Sequence, residues 1–136
     1  MEKLINDTTF CGEEGRMGKK VMLVDDTKFM RMMLANILKP KGFEIVAEAS
    51  DGLEAIEAYK KHKPDLVTMD IVMPNMEGIE AVKNIVAEDG NANIIMVTAV
   101  GQETKVKEAI EAGAKGYIVK PFQAPQVLEE VGKIMG

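Results

Sequence analysis

Aromatic residues, cysteine and histidine are scarce in this sequence of 136 residues, which has no tryptophan, one cysteine and one histidine. The single cysteine, Cys11, cannot form an internal disulfide. The single histidine, His62, lies among lysines, where we expect it to be solvated, and this excludes histidine-dependent metal or triad chemistry. Aromatics make up only 4% of residues, so the core must be mainly aliphatic.

Excess basic charge and long apolar runs are also missing. The formal net charge is -5, which argues against nucleic acid or an anionic membrane surface as a partner. No stretch reaches the roughly eighteen apolar residues of a membrane span, and none matches a secretory signal. We therefore expect a cytoplasmic protein that binds neither nucleic acid nor membrane.

The first eighteen residues differ in character from the rest, with scattered charges, three glycines and no hydrophobic period. We interpret residues 1–18 as a flexible leader that includes Cys11. Residues 19–136 have the length of one ordinary domain, which is enough to bury a core without disulfides or structural metals. One domain is therefore the expectation.

From Lys19 onward, short apolar runs alternate with segments whose apolar residues recur at helical spacing. Asp51, with Glu54 three residues later, is typical of a capping box at the start of a helix. The series predicts five βα units, an α/β fold with a parallel sheet covered by helices on both faces. The predicted strands are Val21–Val24, Phe43–Ala49, Leu66–Met69, Ile94–Val97 and Tyr117–Val119.

Charged and polar side chains stand where four of these strands end. Asp25 and Asp26 follow the first strand; Asp70, Thr98 and Lys120 follow the third, fourth and fifth. Taken singly, an aspartate there could be a helix cap, the threonine a loop hydroxyl and the lysine a solvated side chain. Because the carboxyl ends of parallel strands share one edge of the sheet, where ligands bind in such folds, we expect the five to form one site.

The charges of this predicted site favour a divalent cation. Three carboxylates and one ammonium leave two negative charges uncompensated. Carboxylate oxygens with water are the ligands that suit Mg²⁺ best. A magnesium site follows, with room for a phosphoryl group between the ion, Thr98 and Lys120.

The same residues carry a resemblance to a known family. Asp25-Asp26, Asp70 in "MDIVMPNMEG", Thr98 in "VTA" and Lys120-Pro121 in "GYIVKPF" resemble the receiver domain of two-component response regulators, of the CheY-like chemotaxis type. The resemblance runs from about residue 19 to the end of the sequence. It implies a flavodoxin-like (βα)5 fold, a doubly wound five-stranded parallel sheet with strand order 2-1-3-4-5.

The resemblance also implies a role for each site residue. Asp70 would accept a phosphoryl group from a sensor histidine kinase, assisted by Thr98 and Lys120. Asp26 would bind Mg²⁺ directly, Asp25 largely through water, and the backbone carbonyl of Val72 would add a further oxygen, with Asp70 completing the metal ligands. The protein would then be a phosphoacceptor signalling protein, not an enzyme, that assists its own phosphorylation and dephosphorylation.

A switch and partner face is implied as well, on the fourth helix, fifth strand and fifth helix. Its expected members are Thr98, Val106, Tyr117 and Val119, although ordinary core packing explains Val106 and Val119 equally well. The implied partners are a CheA-like kinase, a bacterial motor switch protein or an archaeal motor adaptor, and a phosphatase. The expected state is a monomer.

Further details rest on the resemblance. Val72 and Val100 match the two positions that flank the path of the hydrolytic water, and both are apolar here, which predicts slow self-dephosphorylation. The family implies a cis Lys120-Pro121 bond. Gly78 is expected to permit a close backbone approach after the turn at Met73-Pro74.

Three other functions remain as alternatives. A phosphorelay shuttle would pass the phosphoryl group to a histidine phosphotransfer protein, and the residues do not exclude it on physical grounds. A Mg²⁺-dependent aspartyl phosphohydrolase would want alternating acids after the first strand, where this chain has adjacent ones. A flavin or nucleotide carrier would want a Ser/Thr/Gly-rich phosphate loop there, whereas "DDTKF" is acidic.

Overall fold

The computed structural model describes residues 18–135, which form five βα units in series. The expected leader, including Cys11, lies outside the described residues except for Gly18. The strands are β1 (Lys20–Val24), β2 (Glu44–Ala49), β3 (Leu66–Asp70), β4 (Ile94–Ala99) and β5 (Gly116–Lys120). The helices are α1 (Lys28–Leu38), α2 (Gly52–His62), α3 (Gly78–Glu88), α4 (Glu103–Ala112) and α5 (Ala124–Met135), and a 3₁₀ turn spans Lys39–Lys41.

The sheet has the order β2-β1-β3-β4-β5, and every strand pairing is parallel. This confirms the predicted flavodoxin-like order. The strand order reverses at β1. The connection that leaves β1 leads to β2 at one edge of the sheet, whereas the connection that leaves β3 leads the other way, to β4. Loops after these two strands therefore diverge and leave a crevice above them, the usual ligand position in doubly wound sheets.

Helices cover both faces of the sheet, as the buried apolar strands predicted. On one face α2, α3 and α4 pack over side chains such as Met22, Met69 and Met96. On the other, α1 and α5 pack over Leu23, Ile95 and their neighbours. The central strands are buried on both faces, so their main function is to hold the loops at their carboxyl ends in fixed positions.

Three strands extend further than their apolar runs predicted. The backbone ladder continues through Asp70 in β3, through Thr98 to Ala99 in β4, and through Lys120 in β5. Main-chain hydrogen bonding does not depend on the polarity of the side chain, so a polar residue can close a strand. Asp70, Thr98 and Lys120 are therefore held by the sheet itself.

The predicted cap of α2 is present with one change. The Asp51 carboxylate accepts a hydrogen bond from the backbone N–H of Glu54, at 2.8 Å. The Glu54 carboxylate reaches back to the N–H and hydroxyl of Ser50, where a capping box would place it on Asp51. Within residues 18–135, no helix has the length and apolar character needed to cross a bilayer.

Candidate functional site

Five sequence-predicted residues meet at the carboxyl edge of the sheet. Asp70, Thr98 and Lys120 lie at or near the ends of β3, β4 and β5, and Asp25 and Asp26 directly follow β1. Carboxylate oxygens of Asp25, Asp26 and Asp70 all lie within 4.8 Å of one another. Asp25 and Asp70 are buried, whereas Asp26 is exposed, so the cluster is open to solvent on one side.

Lys120 is the cation of this cluster. Its ammonium nitrogen lies 3.2 Å from Oδ2 of Asp25 and 3.4 Å from Oδ2 of Asp70. The Lys120-Pro121 peptide bond is cis, as the resemblance implied. One ammonium shared by two buried carboxylates leaves the three acids incompletely neutralised.

The pKa of the Asp70 carboxyl group reflects this incomplete neutralisation of charge. Burial raises the pKa of its carboxyl, the negative charge of Asp25 raises it further, and the attraction of Lys120 offsets only part of this, so the pKa lies above its usual value. For Lys120, burial lowers the pKa of the ammonium, but the charges of Asp70 and Asp25 outweigh burial and the pKa lies above its usual value. An added cation beside Asp70 would relieve the repulsion among the carboxylates. The donor set, three carboxylates with an open side for water, fits Mg²⁺.

The loop between β1 and α1 holds Asp25 in place. Oδ1 of Asp25 accepts hydrogen bonds from the backbone N–H and the hydroxyl of Thr27, at 2.9 and 2.8 Å. The Arg31 guanidinium donates to the backbone carbonyl of Asp25 and, through Nε, to Glu48 on β2 at 2.7 Å. Sequence analysis missed Arg31. The available signal is a lone arginine within the apolar run "FMRMML" that follows the paired aspartates.

The loop between β3 and α3 approaches Asp70 closely, as predicted for Gly78. The Gly78 N–H donates to the carbonyl of Ile71 at 2.8 Å, and a Cβ atom at position 78 would lie 2.1 Å from the carbonyl oxygen of Asp70. Only glycine fits there. The turn after Asp70 therefore depends on this residue.

A second contact, which sequence analysis missed, ties the same loop to α2. The Asn75 amide donates to Oδ2 of Asp51 at 2.6 Å, and the Gly52 N–H donates to the carbonyl of Met76 at 3.1 Å. Asn75 has a φ of 66°, a left-handed conformation that asparagine tolerates better than most residues. The cap of α2 thus also fixes the loop that carries Val72.

Thr98 is buried at the edge but is not hydrogen-bonded to Asp70. Its hydroxyl lies 2.9 Å from Oε1 of Gln102 and 3.2 Å from the carbonyl oxygen of Ala99. Gln102 was not among the predicted site residues, because a glutamine preceding a helix gives no distinctive pattern. Thr98 is therefore part of the edge but is directed toward the β4–α4 loop.

The predicted switch residues surround a cavity next to Thr98. Its volume is about 280 Å³, and its lining includes Thr98, Gln102, Val106, Tyr117 and Val119. Tyr117 is 48% exposed and Val119 is 39% exposed, while Val106 is partly buried and packs against the core. Core packing thus accounts for Val106 but not for Val119.

The two apolar residues predicted to flank a hydrolytic path are both at the surface of the edge. Val72 is 46% exposed and Val100 is 78% exposed. Branched side chains of this kind offer no hydrogen bond to a water molecule. At the two positions predicted to flank the path, the chain therefore offers no hydrogen-bonding side chain.

Comparison with known proteins agrees with this geometry. A family model described as the response regulator receiver domain matches residues 21–132. This chain belongs to the response regulator receiver domain family. The family resemblance in the sequence is thereby confirmed.

Relatives of this receiver domain include chemotaxis proteins. The chain is 56% identical over 119 residues to the chemotaxis protein CheY of Bacillus subtilis (strain 168), covering 88% of this chain and 99% of the relative. It is 53% identical over 119 residues to the chemotaxis protein CheY of Halobacterium salinarum, covering 88% and 98%.

A solved structure of similar fold was determined as a complex with BeF3 and Mg²⁺. The CheX-CheY-BeF3-Mg complex from Borrelia burgdorferi matches with a TM-score of 0.86 and 38% identity, covering 93% of this chain and 99% of that chain. Receiver domains of this CheY-like type are signalling proteins, and the acidic cluster of this one is consistent with Mg²⁺ binding.

Proposed function

We propose that this receiver domain accepts a phosphoryl group on Asp70 in a Mg²⁺-dependent reaction and so carries a chemotaxis signal from a sensor histidine kinase. The observation that carries the proposal is the position of Asp70. It closes the central strand β3, its carboxylate lies beside Asp25 and Asp26, and its Oδ2 is 3.4 Å from the Lys120 ammonium. A nucleophile, a metal-ligand set and a fixed cation thus occupy one crevice.

The metal site would be formed by Asp25, Asp26 and Asp70 with the backbone carbonyl of Val72. When bound there, Mg²⁺ supplies positive charge to the oxygens of the transferred phosphoryl group. The chain positions these ligands through Thr27 and Arg31, which hold the Asp25 loop, and through Gly78, which allows the turn that carries Val72.

Phosphoryl transfer would proceed by attack of an Asp70 carboxylate oxygen on phosphorus. The bond from phosphorus to the donor's histidine nitrogen breaks, and the electron pair of that bond leaves with the imidazole. Lys120, whose ammonium lies 3.4 Å from Oδ2 of the buried Asp70, would neutralise charge on the transferred group. The chain would promote this transfer mainly by positioning the nucleophile and by neutralising charge. We therefore class the protein as a phosphoacceptor that assists its own modification.

The signal would be read on the face formed by α4, β5 and α5. New phosphoryl oxygens on Asp70 attract the Thr98 hydroxyl, and movement of its loop opens room for Tyr117. Thr98 and Tyr117 both line the cavity of about 280 Å³, which supports this step. Val106 and Val119 line the same cavity. Their exposure to solvent would therefore change when Tyr117 moves into it.

The proposed partners follow from the relatives. A CheA-like kinase would donate the phosphoryl group, and a motor switch protein or motor adaptor would bind the α4–β5–α5 face in the cytoplasm. A phosphatase is a third proposed partner; the Borrelia burgdorferi relative was solved in complex with a second protein, CheX, so a CheY of this family binds another protein. The names of the relatives favour chemotaxis over a phosphorelay shuttle.

The proposal is tested by intact-protein mass spectrometry after incubation with acetyl phosphate and Mg²⁺. We expect one phosphoryl group per chain, none after chelation of Mg²⁺ and none in Asp70→Asn. Asp65→Asn is the matched control, because Asp65 stands just before β3 at the opposite edge of the sheet and binds the Lys20 N–H. Labelling that persists in Asp70→Asn would contradict the assignment.

A further inference from the structure

Gln102 directs its side chain back toward β4. Its Oε1 atom accepts hydrogen bonds from the Thr98 hydroxyl at 2.9 Å and from the Ala99 backbone N–H at 3.2 Å. The residue occupies the N-cap position of α4, yet within Glu103–Ala112 no backbone N–H is capped by its side chain. Both hydrogen bonds of the Gln102 side chain are therefore made with β4, the strand that carries Thr98.

The Thr98 hydroxyl has a single proton to donate. Donation to Gln102 and donation to an oxygen on Asp70 therefore exclude each other. The side chain is only 2% exposed, so solvent has little access to replace either acceptor. Any state in which Thr98 donates to a group on Asp70 must first break the bond to Gln102.

We propose that Gln102 is a positioning residue that holds the Thr98 hydroxyl away from Asp70 in the unphosphorylated protein. The inference rests on the proposed function, in which Thr98 donates to the phosphoryl group on Asp70. Gln102 then opposes phosphoryl binding and activation by the free energy of one part-buried hydrogen bond.

The second hydrogen bond of the Gln102 side chain allows Thr98 to leave and return at low cost. When Thr98 leaves, Oε1 retains the Ala99 N–H as a donor. The amide is therefore not left buried without a partner, which would cost far more than one exchanged hydrogen bond. Gln102 also lines the cavity beside Tyr117. Loss of the Thr98–Gln102 hydrogen bond and entry of Tyr117 into the cavity would therefore occur in the same region.

The probe is beryllium fluoride with Mg²⁺, in which a trifluoroberyllate group on the carboxylate stands in for the phosphoryl group. Affinity is measured by isothermal titration calorimetry for the wild type and for Gln102→Leu, which removes the acceptor and keeps a side chain of similar bulk. We expect Gln102→Leu to bind about two- to tenfold more tightly, the range that corresponds to one net hydrogen bond.

Two further variants separate this role from a general effect on structure. Gln126→Leu is the matched control, because Gln126 Oε1 also accepts a backbone N–H, that of Gln123 at 3.0 Å, but at the start of α5; its affinity should equal that of the wild type. In the Thr98→Val background, which lacks the hydroxyl, adding Gln102→Leu should change nothing.

The outcomes distinguish the two proposals. A wild type that does not bind the probe overturns the proposed function and this inference with it. If the wild type binds but Gln102→Leu binds equally or more weakly, the positioning role alone is wrong. Tighter binding by Gln102→Leu that persists in Thr98→Val also overturns it, because Gln102 would then not act through Thr98.

Discussion

The Lys120 ammonium lies 3.4 Å from Oδ2 of Asp70, yet the pKa of Asp70 is raised and not lowered. Burial and the charge of Asp25 together outweigh the lysine. The nucleophile of the proposed reaction is therefore held in a position that disfavours its own negative charge. Such a carboxylate gains from any cation that joins it.

Asp70→Asn should raise the melting temperature by a few degrees at neutral pH without Mg²⁺. The substitution removes a disfavoured charge, and Lys120 keeps Asp25 as its partner. Because the pKa of Asp70 is higher in the folded protein, its favourable contribution is complete below the unfolded pKa and lost as pH rises through the folded pKa. The advantage of the variant should therefore disappear in acid.

Thermal unfolding of the wild type and variant across pH measures this effect. Asp65→Asn, at the opposite edge, should not raise the melting temperature. A variant that is less stable than the wild type at neutral pH would show that Lys120 dominates the environment of Asp70 instead.

Gly78→Ala should destabilise the protein by about 1–3 kcal/mol, the usual cost of forcing an added group into a packed site. The new Cβ would lie 2.1 Å from the Asp70 carbonyl oxygen, so the strand end must move and phosphorylation should slow. Gly90→Ala is the control, since a Cβ there meets no atom within 4 Å. Denaturant unfolding measures the stability of both variants. An equal loss of stability in the two would contradict the close approach of Gly78 to the Asp70 carbonyl.

Replacing Val72 by Asn and Val100 by Glu should hasten decay of the phosphorylated protein severalfold or more. Both side chains are exposed, and neither valine can orient a water molecule at the positions predicted to flank the hydrolytic path. A phosphate-release assay measures the rate. Ile110→Asn is the control, because Ile110 is an exposed apolar residue on α4 and not on either loop; this variant should leave the decay unchanged. Unchanged or slower decay in the double variant would contradict the water-positioning argument.

Tyrosine fluorescence should report the movement of Tyr117. The chain has no tryptophan and two tyrosines, of which Tyr59 is 8% exposed and Tyr117 is 48% exposed. If Tyr117 enters the cavity beside Thr98, quenching by iodide should fall when beryllium fluoride and Mg²⁺ are added. Tyr117→Phe, which retains only the buried Tyr59, should show no such change. Undiminished quenching in the wild type would argue that Tyr117 stays outside.

The sequence predicts the fold and five site residues because one rule connects them. Strands of a parallel sheet end at one edge, so polar residues after Val24, Met69, Val97 and Val119 must come together. Each of those predictions needs only the end of a strand. The predicted boundaries were short because apolar runs end before the backbone ladder does.

The residues that sequence analysis missed act through contacts between loops and helices. Arg31 reaches the Asp25 carbonyl from α1, Asn75 reaches Asp51 across two loops, and Gln102 turns back onto Thr98. Each contact depends on the path of a loop and on one side-chain rotamer. Neither follows from hydrophobic period or residue spacing, so these residues required the structure.

The most direct measurement of the central claim is the position of the phosphoryl group along the chain. Borohydride reduces an aspartyl phosphate to homoserine, so the wild type is phosphorylated with acetyl phosphate and Mg²⁺, reduced, digested and sequenced by tandem mass spectrometry. We predict homoserine at position 70 and none at Asp25, Asp26 or Asp65, with the signal lost when Mg²⁺ is chelated. Homoserine at another aspartate, or at position 70 without Mg²⁺, would contradict the account.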